Sequence, residues 1–350
     1  MNNYFLRYSR HFILLILTVF FVSCVDQYLP ETKDAFDPEV GFSQYLYRPK
    51  LGKNTLMTGN FNPGSSTLPF TYEIVNLRRY DGSEAPELSD QFPVEVWKTP
   101  YLGTETSLEA IEAKRDIEYR QLFQIRKHTG EFILWENAKA AFVRCDPDPG
   151  YVFDVKVENS GGLKYYKDFR LVPEREASYV PSNIDPKTGL ATIEYVNPTS
   201  TSMLFTRKDQ RFYNLSAEDI QVYFHKNMEM PDTVNTITFR FLNADYTPIN
   251  PDKFNTTKWE NLVHGFDLVK DTINKFIRYK VAYPIPLVET PTSYTNRTGE
   301  RAHVSFSYNL IYYGNRMDSE MTFDFAIYEK GNWEISFVFA EGTPYFGEGN

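Results

Sequence analysis

The sequence predicts a mostly β protein built from two antiparallel domains. Aromatic residues are abundant, with 28 Phe and 25 Tyr among 350 residues, and bulky aromatic side chains favour sheets. Apolar and polar residues alternate over Tyr151–Val157 and in three successive runs that begin at His303, which is the period of a half-buried strand. We therefore predict an N-terminal immunoglobulin-like antiparallel sandwich, followed by a second antiparallel β domain.

The first β domain is predicted over residues 41–172, where short apolar runs are separated by turns such as Tyr80-Asp81-Gly82. The predicted strands are Phe42–Tyr47, Thr55–Gly59, Phe70–Leu77, Val94–Trp97, Leu122–Arg126, Phe132–Trp135, Tyr151–Glu158 and Tyr165–Leu171. One helix is predicted from Thr106 to about Tyr119, because Thr106 and Glu109 fit a capping box.

The second β domain is predicted over residues 190–350. Residues 173–189 contain three prolines and no periodic pattern, so they are predicted to be a linker. At the end of the chain His303–Tyr312, Met321–Glu329 and Trp333–Ala340 alternate strictly, with short connections, which predicts a β-meander. About eight strands are available in this half, which suits either a sandwich or a small closed barrel.

The first 23 residues are predicted to be a secretory signal. Arg7 and Arg10 precede an apolar run from Phe12 to Val22, which is too short to span about 30 Å of hydrocarbon. The residues Phe21–Cys24 resemble the lipobox of bacterial lipoproteins, and this resemblance implies that Cys24 carries a lipid. A plain secretory signal is the alternative.

Residues 24–40 are predicted to be a tether, because acidic residues and prolines mix there without apolar periodicity. Val25, rather than an acid, follows Cys24. By resemblance to lipoprotein sorting rules, this implies a location at the outer membrane through the Cys24 lipid. The sequence leaves open whether the protein faces the cell surface or the periplasm.

The charge balance disfavours nucleic-acid and anionic-membrane partners. The formal net charge is −9, and without the signal 35 basic residues stand against 46 acidic ones, a net charge of −11; binding to polyanions requires basic patches. Cys24 and Cys145 are the two cysteines, so lipidation of Cys24 leaves no partner for a disulfide within the chain. Cys145 is predicted to be a small buried apolar residue.

No constellation for catalysis, metal binding or cofactor binding stands out. The five histidines lie far apart in the sequence, and no nucleophile elbow, dinucleotide fingerprint or phosphate loop occurs. Glycoside hydrolysis needs two facing carboxylates, and 46 acidic residues single out no pair. We therefore predict no catalytic residue, no metal site, no cofactor and no enzymatic activity.

Several passages of the first half together resemble a known protein family. They are Leu51–Leu56, Ser66–Phe70, Asn76–Gly82, Val96–Lys98, Ser107–Arg115 and Gly130–Trp135. They resemble an uncharacterised Bacteroidetes lipoprotein family, a domain of unknown function, whose members are encoded beside SusC/SusD-type outer-membrane uptake pairs. The resemblance implies a role in the capture of glycans or other nutrients at the cell envelope, and it transfers no binding residue.

Aromatic side chains are the candidates for glycan contact, because the C–H faces of sugars pack on rings beside a few placed polar groups. Trp333 heads an alternating strand and is predicted to be core, whereas Trp97 and Trp135 end strands and suit either role. Trp259 lies in the polar stretch Asn255–Asn261 and is the best candidate for an exposed platform. Tyr294, in a polar loop, is the second candidate.

Two short sequences are similar to the acceptor for protein O-glycosylation in Bacteroidetes, in which an Asp-Thr pair precedes an apolar residue. They place possible modification at Thr233 and Thr272. Both sequences are also typical of ordinary turns or strand ends.

Two functions remain open at the level of the sequence. The first is a lipid-anchored accessory protein that binds a polysaccharide for a SusC/SusD-type uptake system. The alternative is a non-catalytic docking or structural component of that outer-membrane complex, which contacts a protein partner through an exposed face or edge of the predicted meander. Both functions need a rigid β scaffold with variable loops.

Overall fold

The fold was analysed in a computed structural model, which describes residues 33–206, 212–231 and 234–347. The predicted signal, the predicted lipidation site Cys24 and the possible acceptor Thr233 lie outside the described residues. Among the described residues, no helix combines the length and the apolar character that crossing a membrane requires.

The first half of the chain is built from short strands with two helices between them. The strands are β1 (Gly41–Phe42), β2 (Leu46–Tyr47), β3 (Thr55–Met57), β4 (Phe61–Asn62), β5 (Thr71–Arg79), β6 (Gln91–Trp97), β7 (Arg115–Gln121), β8 (Phe123–Ile125), β9 (Phe132–Leu134), β10 (Tyr151–Asn159) and β11 (Gly162–Leu171). The helices are α1 (Pro86–Ser89) and α2 (Leu108–Glu112).

The second half contains further strands and three short 3₁₀ turns. The strands are β12 (Tyr179–Val180), β13 (Ser200–Thr201), β14 (Met203–Thr206), β15 (Phe212–Leu215), β16 (Ile220–Lys226), β17 (Thr236–Leu242), β18 (Gly265–Asp271), β19 (Phe276–Val281), β20 (Ala302–Tyr312), β21 (Asn315–Ile327), β22 (Asn332–Phe339) and β23 (Thr343–Pro344). The 3₁₀ turns are Ala217–Asp219, Pro251–Lys253 and Trp259–Asn261.

The first sandwich has its core between a four-stranded sheet, ordered β2-β11-β10-β5, and a three-stranded sheet, ordered β3-β9-β8. Four residues of β10, namely Tyr151, Phe153, Val155 and Val157, are fully buried, as their alternation predicts. They pack with Phe132 and other rings of the opposite sheet. A two-stranded ribbon of β6 and β7 flanks this core.

The second sandwich pairs a five-stranded sheet, ordered β16-β22-β17-β19-β18, with a sheet centred on β21. In the latter, β20, β12 and β13 all pair with β21. The described strands form open sheets and no closed barrel, so the sandwich is the correct alternative for this half. The prediction of a mostly β, largely antiparallel fold is confirmed, with parallel pairs at β2–β11 and β17–β22.

The predicted meander is wrong in its third strand. The hairpin of β20 and β21 forms as expected, but β22 lies between β16 and β17 in the opposite sheet. Alternation specifies that one face of a strand is buried, and both sheets of a sandwich offer such a face. The short connection after β21 therefore carries the chain across the core instead of back along the same sheet.

The predicted helix over Thr106–Tyr119 is also wrong over most of its length. The helix α2 is N-capped by Ser107, whose Oγ accepts a hydrogen bond from the Ala110 N–H at 3.1 Å. From Arg115 the chain instead forms β7, which pairs along its whole length with β6. Pairing with a neighbouring strand here overrides local helix propensity.

The predicted tether and linker both contain segments fixed to a domain. Within the tether, the Ala35 N–H donates to Thr67 Oγ1 at 3.0 Å and the Phe36 ring packs edge-on against Phe70. Within the linker, β12 pairs with β21 of the second sandwich. The two main apolar cores draw on residues 40–171 and 196–339 respectively, while the proposed domain boundaries themselves stay a prediction.

Candidate functional site

A groove of about 970 Å³ lies between the two sandwiches. Residues from β3, β6, β7, β8 and β9 form its wall on the first sandwich, while residues 284, 286–289 and Tyr328 form its wall on the second. Ligand pockets in proteins typically measure about 300–1,000 Å³ and occur preferentially between domains. The groove is therefore large enough for a small molecule or a segment of a polymer.

The floor of the groove is the outer face of the β3-β9-β8 sheet. Leu56, Ile133 and Gln124 lie directly opposite one another across the three strands, and Trp135 is two residues beyond Ile133 on the same face. The alternate residues, such as Phe132 and Leu134, point into the core and are fully buried. The period of two along each strand thus places an apolar strip with polar neighbours at the bottom of the groove.

Two amide side chains on this floor have a fixed orientation. The Trp135 Nε1–H donates to Gln124 Oε1 at 3.1 Å, and the backbone N–H of Glu136 donates to Asn54 Oδ1 at 2.9 Å. Because both partners are donors, each amide must present its oxygen to them. Neither amide NH₂ group has a partner among the described residues, so both remain available to a ligand.

Basic side chains surround the floor. Lys53 Nζ contacts Glu289 Oε1 at 2.6 Å and so joins the two sandwiches. Arg120 lies over the Trp135 ring at 5.6 Å and pairs with Glu118. Arg126 and Lys127 continue the wall along β8 and beyond it.

A buried arginine connects the two sandwiches at one end of the groove. The side chain of Arg115 is only 4% exposed, and its Nη1 contacts Glu95 Oε1 at 2.9 Å. Its Nη2 donates to the Tyr283 carbonyl of the second sandwich at 3.0 Å, and its guanidinium stacks on Trp97. The other oxygen of Glu95 accepts from Lys330 at 3.2 Å. Glu95 is thus held in ion pairs that join the two domains.

Glu136 adds a second carboxyl near Glu95. Burial, and then the neighbouring Glu95 carboxylate, raises the pKa of Glu136. General acid catalysis uses carboxyls of raised pKa, and glycoside hydrolysis pairs one with a second carboxylate that acts as nucleophile or base. Both oxygens of Glu95 are engaged by cations, Oε1 by Arg115 and Oε2 by Lys330.

Comparison with known families places most of the groove inside one domain model. The model of DUF5007, a domain of unknown function, matches residues 61–348. The chain belongs to the DUF5007 family. The match covers strands of both sandwiches and most of the groove wall, while Lys53, Asn54 and Leu56 precede the matched residues. A search of curated proteins found no match to this sequence.

The expected exposure of Trp259 is wrong. Trp259 is 6% exposed and belongs to the core of the second sandwich. Its ring packs against Phe241 and Phe306, with centroid distances of 6.4 and 6.0 Å, and its carbonyl accepts a hydrogen bond from the Tyr279 hydroxyl at 2.6 Å. The ring is therefore a packing element and offers no platform to a sugar.

Tyr294 lies at the contact between the two sandwiches. Its half-buried ring stacks on His264 with a centroid distance of 4.8 Å and an angle of 3°. His264 Nε2 donates to the Glu105 carbonyl at 2.8 Å, so its Nδ1 accepts from the Tyr101 hydroxyl. The adjoining cavity of about 30 Å³ has room for about two water molecules and none for a sugar ring. The contact fixes one sandwich against the other.

The structure also places the other residues for which the sequence made a prediction. Trp333 and Cys145 are buried, as predicted, and burial raises the pKa of the Cys145 thiol. Thr272 lies exposed in the turn after β18, where modification stays a prediction. Among residues 33–206, 212–231 and 234–347, no group of three or more His, Cys, Asp or Glu side chains is placed to hold a metal ion.

Sequence reasoning singled out Trp97 and Trp135 without choosing their role, and it missed Asn54, Gln124 and Lys53. In a strand whose sequence alternates, the polar positions indicate which residues face away from the core. Nothing in the sequence indicates that the second sandwich covers that face and turns it into the floor of a groove.

Proposed function

We propose that the groove between the sandwiches binds a glycan, and that the protein is an accessory binding component of a nutrient-uptake system. The observation that supports this most is the floor around Trp135, where an indole ring lies beside the fixed amides of Gln124 and Asn54. A ring for the apolar face of a sugar and placed polar groups for its hydroxyls are what glycan recognition requires.

Access to the indole depends on Arg120. Trp135 is 9% exposed and belongs to the apolar core of the first sandwich, and the Arg120 guanidinium lies above its ring at 5.6 Å. The Arg120 side chain is itself 42% exposed, and its pair with Glu118 is a surface ion pair of the kind that contributes about 0–1 kcal/mol. A sugar ring can therefore displace Arg120 at small cost.

Binding of the purified full chain to an array of polysaccharides and host glycans tests this proposal. We expect a ligand of micromolar affinity or tighter, and we expect Trp135→Leu to weaken that affinity about tenfold by removing the aromatic face. Tyr165→Leu, which removes an exposed aromatic ring on β11 outside the groove, is the matched control and should bind like the wild type. The absence of any ligand across a broad array would contradict the proposal.

We also propose that Cys24 anchors the protein by a lipid at the outer membrane, beside a SusC/SusD-type pair. The first sandwich holds the chain from Ala35 onward, and the stretch from Cys24 to Ala35 reaches at most about 40 Å, so such an anchor would keep the domain close to the bilayer. Cys24→Ala is expected to move the protein from the membrane fraction to the soluble fraction. A variant that stays membrane-bound would contradict the anchor.

The docking alternative has one observation in its favour. The hairpin of β20 and β21 presents exposed Ile311 and Tyr313 at and beside its tip, and neighbouring exposed apolar side chains are typical of contact surfaces. Co-purification with a SusC/SusD-type pair in the absence of glycan, together with an empty glycan array, would favour this alternative over glycan binding.

A further inference from the structure

We infer that the ligand of the groove is an anionic saccharide, one that carries carboxylate or sulfate groups. This inference rests on the proposed glycan binding and specifies its substrate class. It follows from the groove wall, whose lining side chains include the cations Lys53, Arg120, Arg126 and Lys127 against the carboxylates Glu95 and Glu289, and which keeps several N–H donors unused.

The amides present their NH₂ groups to the groove. The oxygens of Gln124 and Asn54 are taken by the Trp135 indole and the Glu136 backbone N–H, which leaves two NH₂ groups on the floor. Because these bonds are internal to the protein, the amides cannot turn their oxygens toward a ligand without leaving the Trp135 indole N–H or the Glu136 backbone N–H without its acceptor.

The basic residues also keep donors free. Arg120 uses Nε and Nη2 on a single oxygen of Glu118, and Arg126 uses Nη1 on Glu131, whereas a guanidinium carries five N–H donors. The exposed Lys127 ammonium has no ion pair among the described residues. Arg126 and Lys127 can donate to a ligand while they keep the bonds that they already make, and Arg120 can donate to it once displaced from the face of Trp135.

The carboxylates of the wall, Glu95 and Glu289, are paired with cations of the protein. Glu95 accepts from Lys330 and contacts Arg115, while Oε1 of Glu289 contacts Lys53. The cations and N–H donors of the wall thus outnumber its carboxylates, and a neutral sugar hydroxyl, which both donates and accepts, uses them less fully. A carboxylate or sulfate only accepts, and its bonds to N–H donors are about twice as strong as neutral ones.

Matched pairs of polymers that differ only in charge test the inference. The carboxylate arm compares polygalacturonate with its methyl ester, and the sulfate arm compares dextran sulfate with dextran, each measured with the purified full chain. We expect the acidic member of at least one arm to bind at least tenfold more tightly, and its affinity to fall as salt is raised. The arm that responds identifies the anionic group.

The failures of the two proposals can be told apart. Equal affinity for charged and neutral members, or a preference for a neutral glycan on the array, would overturn the anionic class and leave glycan binding standing. No binding to any polymer or array glycan would overturn both.

An isosteric substitution tests the donor wall itself. Gln124→Glu keeps an oxygen for the Trp135 indole but replaces the free NH₂ group with a negatively charged oxygen, so we expect affinity for the acidic polymer to fall at least tenfold. Gln221→Glu is the matched control, because Gln221 Oε1 also accepts a bond, from the Tyr223 hydroxyl at 2.7 Å, and lies outside the groove. Equal losses in both variants, or none in Gln124→Glu, would overturn the inference.

Discussion

Replacing Trp259 with alanine is expected to lower the free energy of unfolding of the second sandwich by about 3–5 kcal/mol. The indole fills space between Phe241 and Phe306 in the main core of that sandwich. Removing it deletes the buried apolar area and leaves a cavity that the surrounding rings cannot fill completely. The hydrogen bond from the Tyr279 hydroxyl is made to the backbone, so the loss reports packing alone.

Urea unfolding followed by circular dichroism measures this effect. Tyr246→Ala is the control, because Tyr246 is an exposed aromatic of the same sandwich and its truncation should change stability by no more than about 0.5 kcal/mol. Under conditions where the Trp259→Ala variant is folded, its affinity for any glycan should match the wild type, since Trp259 does not line the groove. A stable variant that loses glycan binding would restore Trp259 as a ligand contact.

The wrong prediction for Trp259 shows that the polarity of neighbouring residues does not by itself determine whether a side chain is exposed. The residues around Trp259 are polar, and Trp259 was therefore predicted to be exposed. Trp259, Leu262 and Val263 are nevertheless spaced like one face of a helical turn, and all three are buried around the 3₁₀ turn Trp259–Asn261. A single turn is too short for its periodicity to stand out against the neighbouring polar residues.

The strands were predictable because burial of one face imposes a period of two on the sequence. Tyr151–Val157 and the three C-terminal runs all form strands with the expected residues buried. Sheet membership was not predictable, since β22 has the same alternation as β21 and lies in the opposite sheet. Pairing partners depend on contacts distant in the sequence, which periodicity does not encode.

The candidate site was predictable only in part for the same reason. Alternation identifies Gln124 as an outward-facing residue, but the groove exists because the second sandwich lies against this face. The contacts that set this arrangement join residues far apart in the chain, such as Lys53 with Glu289 and Arg115 with the Tyr283 carbonyl. The geometry of the groove therefore depends on these polar contacts together with the apolar cluster of Ile111, Ala282 and Leu287 between the sandwiches.

Arg115 is the contact whose loss should matter most to that arrangement. Arg115→Ala is expected to lower the free energy of unfolding by about 2–5 kcal/mol, the usual cost of truncating one partner of a buried, hydrogen-bonded charge pair at an interface. The substitution leaves the Tyr283 carbonyl without its donor, leaves Glu95 paired with Lys330 alone, and removes the guanidinium from the face of Trp97.

The control for this variant is Arg316→Ala. Arg316 also pairs with a carboxylate, that of Asp318, but its side chain is 64% exposed, and such surface pairs contribute about 0–1 kcal/mol. In urea unfolding we expect Arg115→Ala to lower the midpoint and Arg316→Ala to leave it nearly unchanged. We also expect the two sandwiches of the Arg115 variant to unfold at separate urea concentrations, because their coupling is weakened. A midpoint and a cooperativity equal to those of the wild type would mean that Lys53 with Glu289, and His264 with Tyr294 and Tyr101, hold the groove without Arg115.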